Sequence, residues 1–480
     1  MIRRQWLASL VLSAWSVTSP SVRAQGRGIS SDMQRLSQYM SQAPSVALPP
    51  DVMEQAKHHI LDTLASMVSG SELEPGQAAL RYVGVHAGLG GVPVVGASKH
   101  YAAGDAAMAH GMMAHADETD DSHNRSRTHP GCAVVPAALA VAHALGCDGA
   151  RFLQSVALGY DIGTRVVMAM GGFDLSYNSS LATHSIGGNF GAAAAAAGVV
   201  RLNEQQMRWL LDYAAQQSSG ILAWRRDTDH IEKSFVFGGM PARNGVTSAL
   251  GVQAGWTGVD DVFSGPDNFF QAYAPKVNRD LLTQALGTRF EIALTDLKKW
   301  TVGSPIQGPL DAIELIQQKH SFSLDQIRSV TVRLAPSVAA VVDNREMPDI
   351  CLQHMVSVML ADKFVSFKAA HDKTRMKDPG ILLLRAKVDL VPDDSLVPLL
   401  PVRVAVVEIQ LANGQTLTER VSAVRGTPRN PMTRQEVVAK AQDLMAPILG
   451  ASATRELIQS VYTLETLGDM RAWSTLLKAH

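Results

Sequence analysis

Two stretches of this chain have almost no polar face. AVVPAALAVAHAL (133–145) carries one histidine among apolar residues, and GAAAAAAGVV (191–200) contains only glycine, alanine and valine. A helix that is apolar all round has to be surrounded by other helices. The glycine–alanine run also lets neighbouring backbones approach closely. A chain with two such segments is expected to wrap a large helical body around them. Its 480 residues exceed what one compact core usually serves, so two domains are expected. Charged residues make up 18% of the chain, below the usual quarter, which marks a well-buried globular protein. With a net charge of −1 there is no reason to expect nucleic acid or an anionic membrane surface as partner.

Just ahead of the first stretch, and behind the small and apolar segment AAGDAAMAHGMMA (102–114), lies HADETDDSHNRSRTHPGC (115–132), with His115, His123 and His129 and the acids Asp117, Glu118, Asp120 and Asp121. A helix over 105–119 would bring His115, Glu118 and Ser122 near one face. SHNRSRT reads as a loop, and Thr128-His129-Pro130 delivers a histidine to the start of a buried helix. A histidine there is partly desolvated, so its charge state can be tuned near neutral pH. Two other readings stand beside acid–base chemistry. The acids and histidines could bind a metal, although HExxH and a helical HxxxH are absent from this stretch. They could also merely cap helices, but burying several charges without use is costly.

Residues 30–290 read as helical, with apolar positions at helical spacing over 51–69 and an N-cap pair at Asn203 and Gln206. After Thr295 the texture changes. SVTVRLAP (329–336) alternates as a strand, and 402–421 reads as two strands joined by Asn413-Gly414. Helical patterns at 309–320 and 351–361 stand on either side of the first strand, and Thr433 with Glu436 forms a capping box after a Pro-rich connection. The expected units are 27–294, helical; 295–425, α+β; and 426–480, helices returning to the first domain. Ahead of them, MIRR and WLASLVLSAWSV read as a signal peptide over 1–26, cleaved after Ala24. Export, to the periplasm, is therefore expected; Arg3-Arg4 hints at the twin-arginine route, and a membrane anchor is the alternative. No later segment is long and apolar enough to span. Cys132, Cys147 and Cys351 are far apart and form no CxxC, which argues against an iron–sulfur cluster or a structural zinc site.

Further polar residues stand in apolar or glycine-rich text. His184 precedes the small-residue helix, Lys233 and Arg243 flank FVFGG, Lys298 and Lys299 mark the domain change, and His354 sits in ICLQHMVSVML. Together they supply cations and acid–base groups suited to an anionic substrate with carboxylates.

These stretches resemble the MmgE/PrpD family, which includes 2-methylcitrate dehydratase, cis-aconitate decarboxylase and iminodisuccinate epimerase. The resemblance rests on AHADETDD…THPGCAVVPAALA, GYDIGTRV, THSIGGNFGAAAAAAG, AAQQSSG, EKSFVFGGMPARNG, GVDDVFSGPDNFF, KKWTVGSPIQGPLDA and RGTPRNPMT, in that order. It implies a fold that is mostly α with an α+β second domain, that is, a large all-helical domain plus a smaller α+β lid, usually as a homodimer. It also implies an interdomain active site without metal, iron–sulfur cluster or organic cofactor. By the same resemblance the catalytic candidates are His129, His184, His354, Lys233, Lys298 and Glu118, and Ser122 and Gln307 are substrate-binding candidates; Asp120 and Arg243 join the substrate-binding candidates on their own chemistry. Asp120 and Asp121 are also expected to fix their loop. The chain departs from the family at Val236, His354 and Gln307, where relatives carry histidine, tyrosine and histidine. The expected activity is a cofactor-independent lyase or isomerase acting on a small di- or tricarboxylate. A non-catalytic carboxylate-binding protein and a metal-assisted hydrolase are the alternatives.

Overall fold

The computed structural model describes residues 28–477; the expected signal peptide lies outside the described residues. The small-residue text explains how the helical part packs. Helix Gly149–Ala169 crosses helix Thr183–Val200 where both carry glycine. A Cβ on Gly163 would lie 2.3 Å from the Gly187 carbonyl oxygen, so the two backbones touch without side chains between them. Helices Gly131–Leu145 and Met240–Gln253 cover the other sides of Thr183–Val200. All of that helix except His184 and Val200 is buried.

A second close approach positions the site. Gly111 lies in helix Ala103–Ala114 and Gly238 in the π-helical turn Phe235–Gly239. A Cβ on Gly111 would meet the Gly238 carbonyl oxygen at 2.4 Å. The contact therefore presses the segment that carries Lys233 and Phe237 against the helix that runs into residue 115.

The body also holds a two-stranded ribbon, β1 (Leu89–Pro93) with β2 (His100–Tyr101), inside the region that reads as helical. The second core contains a four-stranded sheet in the order β4-β3-β5-β6. Strand β3 (Ile327–Leu334) lies parallel to β4 (Val388–Pro392) and antiparallel to β5 (Ala405–Leu411), which turns through Asn413-Gly414 into β6 (Thr416–Val421). The alternation read from the sequence is the observed one: Val330, Val332 and Leu334 face inward. Helices Ser304–Lys319 and Leu352–Asp362 pack in the same core. Strand β4 was not anticipated, because five residues are too few for a periodic signal.

One hydrophobic core runs from Met33 to Leu297 and resumes from Met432 to Leu477; the other runs from Trp300 to Val424. The C-terminal helix Arg434–Tyr462 opens with the Thr433–Glu436 capping box and packs on helix Pro50–Gly70. The architecture is the expected one, a large helical domain with a smaller α+β domain.

Candidate active site

The expected helix over 105–119 ends earlier, at Ala114. One cause is visible. The Asp117 carboxylate accepts from the Thr119 backbone N–H at 2.9 Å and from the Thr119 hydroxyl at 2.6 Å, a local bond that competes with helical hydrogen bonding. Distant lysines hold carbonyls of the turn that follows. Lys298 Nζ donates to the Glu118 carbonyl at 2.7 Å, and Lys440 Nζ to the Thr119 carbonyl at 3.0 Å. The segment therefore fans its acids outward instead of lining one helical face.

Each acid finds its own positive or proton-donating partner. Asp117 faces His371 at 2.9 Å. Glu118 pairs closely with Lys233 and lies 3.8 Å from Lys298. Asp120 takes His115 Nδ1 on one oxygen at 2.9 Å and His129 Nδ1 on the other at 3.1 Å, with Lys298 3.6 Å away. Asp121 accepts from Tyr160 at 2.5 Å and from the Gly131 N–H at 3.0 Å, and contacts His59 Nδ1 at 2.8 Å. All four acids are buried. This is the arrangement in which buried charge is tolerated, with paired ions and filled hydrogen-bond positions.

Asp120 sets the protonation pattern. Its carboxylate can only accept, so Nδ1 of both His115 and His129 carries a proton. Burial pushes the His129 imidazolium down to about 4, against the pull of Asp120. His129 is thus a neutral base with a fixed tautomer. Burial pushes the Glu118 and Asp120 carboxyls up, but their partners win. Lys233 and Lys298 hold Glu118 well below the usual range, and the ring N–H bonds of His115 and His129, with the Lys298 charge, do the same for Asp120.

Aromatic rings build the wall opposite. Phe237 stacks between His115, with centroids 4.4 Å apart, and His184, at 4.0 Å. Trp224 meets His184 edge-on at 5.6 Å. The Lys233 ammonium stands 5.4 Å from the centroids of both Trp224 and Phe237. Rings His129 and His184 are 5.5 Å apart, and His230 stands 5.3 Å from His115. Burial, with His129, Arg127 and Lys233 nearby, keeps His184 well below its usual range.

Six expected residues therefore meet in one cluster: Glu118, Asp120, His129, His184, Lys233 and Lys298. Ser122 sits at its edge, in a β-bridge with Asp296, and its buried hydroxyl has no partner among the described residues. Ser122, Lys298 and Gln307 line a cavity of about 260 Å³ between the two domains, together with Arg125, Arg403 and Arg429. The Gln307 amide is occupied by the backbone: its Nε2 donates to the Trp300 and Val302 carbonyls, and its Oε1 accepts from the Trp300 N–H. Arg243 is exposed, with its stem against Gly104, and stands outside the cluster. His354 is wholly buried among residues of the α+β core, its charged neighbours being Arg385, Arg375 and Asp372 of the same domain. The residue that the α+β domain places against the acid segment is His371, which the sequence reading missed because KAAHDK looks like an ordinary exposed helix end. His115 and His230 were missed as well. His115 was legible in the acid-rich stretch; nothing in DTDHIEK marks His230.

Among the described residues two donor sets could hold a metal: His115, Glu118 and His230, and His115, Asp120 and Cys132, the atoms of each lying within 4.8 Å. In both, a lysine ammonium already sits near the carboxylate. In the second, burial pushes the Cys132 thiol well up, away from the thiolate a metal requires.

The MmgE/PrpD N-terminal domain matches residues 34–281 and the MmgE/PrpD C-terminal domain residues 300–466. The chain is similar to the cis-aconitate decarboxylase-like protein oryM of Aspergillus oryzae, 24% identical over 453 residues that cover 88% of this chain and 92% of the relative. It is also similar to the cis-aconitate decarboxylase of Aspergillus terreus, 23% identical over 464 residues that cover 90% of this chain and 92% of the relative. Both family domains match in order and together cover most of the chain, so the protein belongs to the MmgE/PrpD family.

Proposed function

We propose that the protein is a lyase or isomerase that acts on a small di- or tricarboxylate by general acid–base catalysis, without a metal or organic cofactor. The observation that carries this reading is His129: a neutral imidazole, its tautomer set by Asp120, with two lysines close by. In the reaction, His129 Nε2 takes a proton from the carbon beside a carboxylate. Lys233 and Lys298 hold carboxylates and stabilise the enediolate-like charge that develops. Glu118 sets the spacing of the two ammonium groups, and Asp120 stabilises the imidazolium that forms. His184, next to His129 under the Phe237 ring, serves in proton return. The relatives named for cis-aconitate decarboxylation support a carboxylate substrate and a lyase reaction.

The test is NMR of the mature protein in D₂O, without added metal, with a panel of hydroxy-, imino- and unsaturated di- and tricarboxylates. A new olefinic signal means elimination, loss of a carboxylate means decarboxylation, and deuterium uptake on an unchanged skeleton means epimerisation. A non-catalytic carboxylate-binding protein is the second reading, favoured by the placement of His354 in the α+β core, with Arg385, Arg375 and Asp372 as its charged neighbours. Calorimetric binding with no turnover would establish it. Full turnover in a chelator removes the metal-assisted hydrolase. We further propose export to the periplasm, on the N-terminal text MIRRQWLASLVLSAWSV, and a homodimer. The mass of the mature chain in a periplasmic fraction and its sedimentation test these two points.

A further inference from the structure

His371 ends the short helix Phe367–His371 of the α+β domain. Its Nδ1 lies 2.8 Å from the Phe367 carbonyl oxygen, which can only accept, so Nδ1 carries a proton. Its Nε2 lies 2.9 Å from Oδ2 of Asp117, in the acid segment of the helical body. Both oxygens of Asp117 already accept from Thr119, as suits an anion, and Nε2 meets that carboxylate as an ion-pair contact without an aligned hydrogen bond. A carbonyl at one nitrogen and a carboxylate beside the other favour the ring as an imidazolium. The cation belongs to one domain. The anion belongs to the other, one residue before Glu118.

We propose that His371 is a positioning residue: as an imidazolium paired with Asp117 it docks the α+β domain onto the catalytic segment and fixes the backbone that holds Glu118 between Lys233 and Lys298. The surroundings agree. Asp349, from the turn Pro348–Ile350, is a second buried acid in the field of His371, and Glu118 and Lys233 lie behind Asp117. From the C-terminal helix, the Asp443 carboxylate accepts from the Phe367 N–H at 3.0 Å and anchors the start of the His371 helix. On its own element the charged neighbours of His371 are Lys368, Asp372 and Lys373. The Phe367 ring covers one face of the imidazole at 4.2 Å. Burial lowers His371, yet the close contact and the charge of Asp117 raise it to about 9. The sign follows. Docking strength from this pair is complete below the free-histidine range, declines as pH rises through about 9, and is absent above it.

The inference rests on the proposed reaction only for its kinetic arm, so the first readout needs no substrate. Hydrogen exchange of the peptides over 115–121 and 364–372 is followed in the full chain, corrected for intrinsic rates. In the wild type both peptides are protected at neutral pH and lose protection together above about pH 9. His371→Gln and Asp117→Asn each speed exchange in both peptides by about tenfold at neutral pH. The double variant is no faster than either single one. His371→Lys, which keeps the charge, restores protection. Circular dichroism confirms that each variant is folded, and His371→Lys keeps the test open if one neutral variant is not. Unchanged protection in His371→Gln, additive losses in the double variant, or wild-type protection that ignores pH would each overturn the proposal. Where turnover is found, kcat falls in His371→Gln and recovers in His371→Lys. Absence of turnover with the exchange pattern intact would count against the proposed reaction and leave the docking role standing.

Discussion

Histidine is buried in both domains of this protein, and the two burials differ in kind. In the helical body, His129 and His115 each bond to one oxygen of Asp120, and the neighbouring acids have partners of their own. In the α+β domain, His354 is buried as well, but among the described residues neither ring nitrogen has a partner, and it lies in the core that holds Leu352, Met355 and Val356. Burial, with Arg385 and Arg375 nearby, pushes His354 down to about 4, so it is a neutral ring used as packing. Depth therefore does not distinguish a chemical histidine from a structural one. An acceptor on one nitrogen does, because it fixes the tautomer and leaves the other nitrogen as a directed base.

The comparison breaks most sharply at His129. In His129→Ala the rate on whichever carboxylate is turned over should drop by roughly 10²–10⁴-fold with the fold intact, as expected for a lost general base. A variant with wild-type rates would end the reading of this cluster as catalytic.

Next comes the charge network below the loop. Lys440 is buried and donates to Asp62 at 2.6 Å as well as to Thr119. Lys440→Met leaves the Asp62 carboxylate without its partner and should lower unfolding stability by about 3–5 kcal/mol. The matching experiment in the other domain is Arg375→Ala, which removes a half-exposed pair with Asp362 and should cost less than about 1 kcal/mol. Equal shifts of the urea midpoint in the two variants would contradict the distinction.

The pH profile sharpens the same contrast. A base works while it is neutral, that is, above its pKa, and burial pushes His129 down to about 4. The acid limb of kcat/KM should therefore lie near pH 4, about two units below that of an exposed histidine. Half-loss of activity near 6.5 would mean that another group is the base.

The smallest effect is expected at His354. His354→Leu replaces an unpartnered ring by a side chain that suits its walls, and stability should move by no more than about 1.5 kcal/mol. The rate should stay within about threefold, since no bond from the cluster reaches this residue. A large loss of activity would return His354 to the reacting centre.

Much of this molecule was legible before any coordinates. The apolar and small-residue runs required a surrounded helical body, and the capping pairs Asn203–Gln206 and Thr433–Glu436 open helices where expected. Asn413-Gly414 joins the strands it was read to join. These are local signals, written in residues a few positions apart. The site candidates gathered into one cluster in six cases because apolar flanks showed where titratable residues had to be buried. Arg243 and Gln307 share those flanks, yet one is exposed and the other is taken up by the Trp300–Val302 backbone.

What the linear text determined is the helical body, the hairpin of the smaller domain and the concentration of titratable residues at 115–132, since each depends on periodicity or on neighbours in sequence. Only the tertiary structure decided which cation answers each acid. Glu118 meets Lys233, 115 residues away, Thr119 meets Lys440 across 321, and Asp117 meets His371 of the other domain. The same long-range contacts hold the turn that follows the helix end at Ala114, where lysines from elsewhere take the Glu118 and Thr119 carbonyls. Ion pairs between residues this far apart leave no periodic trace, and their geometry exists only once both cores are packed.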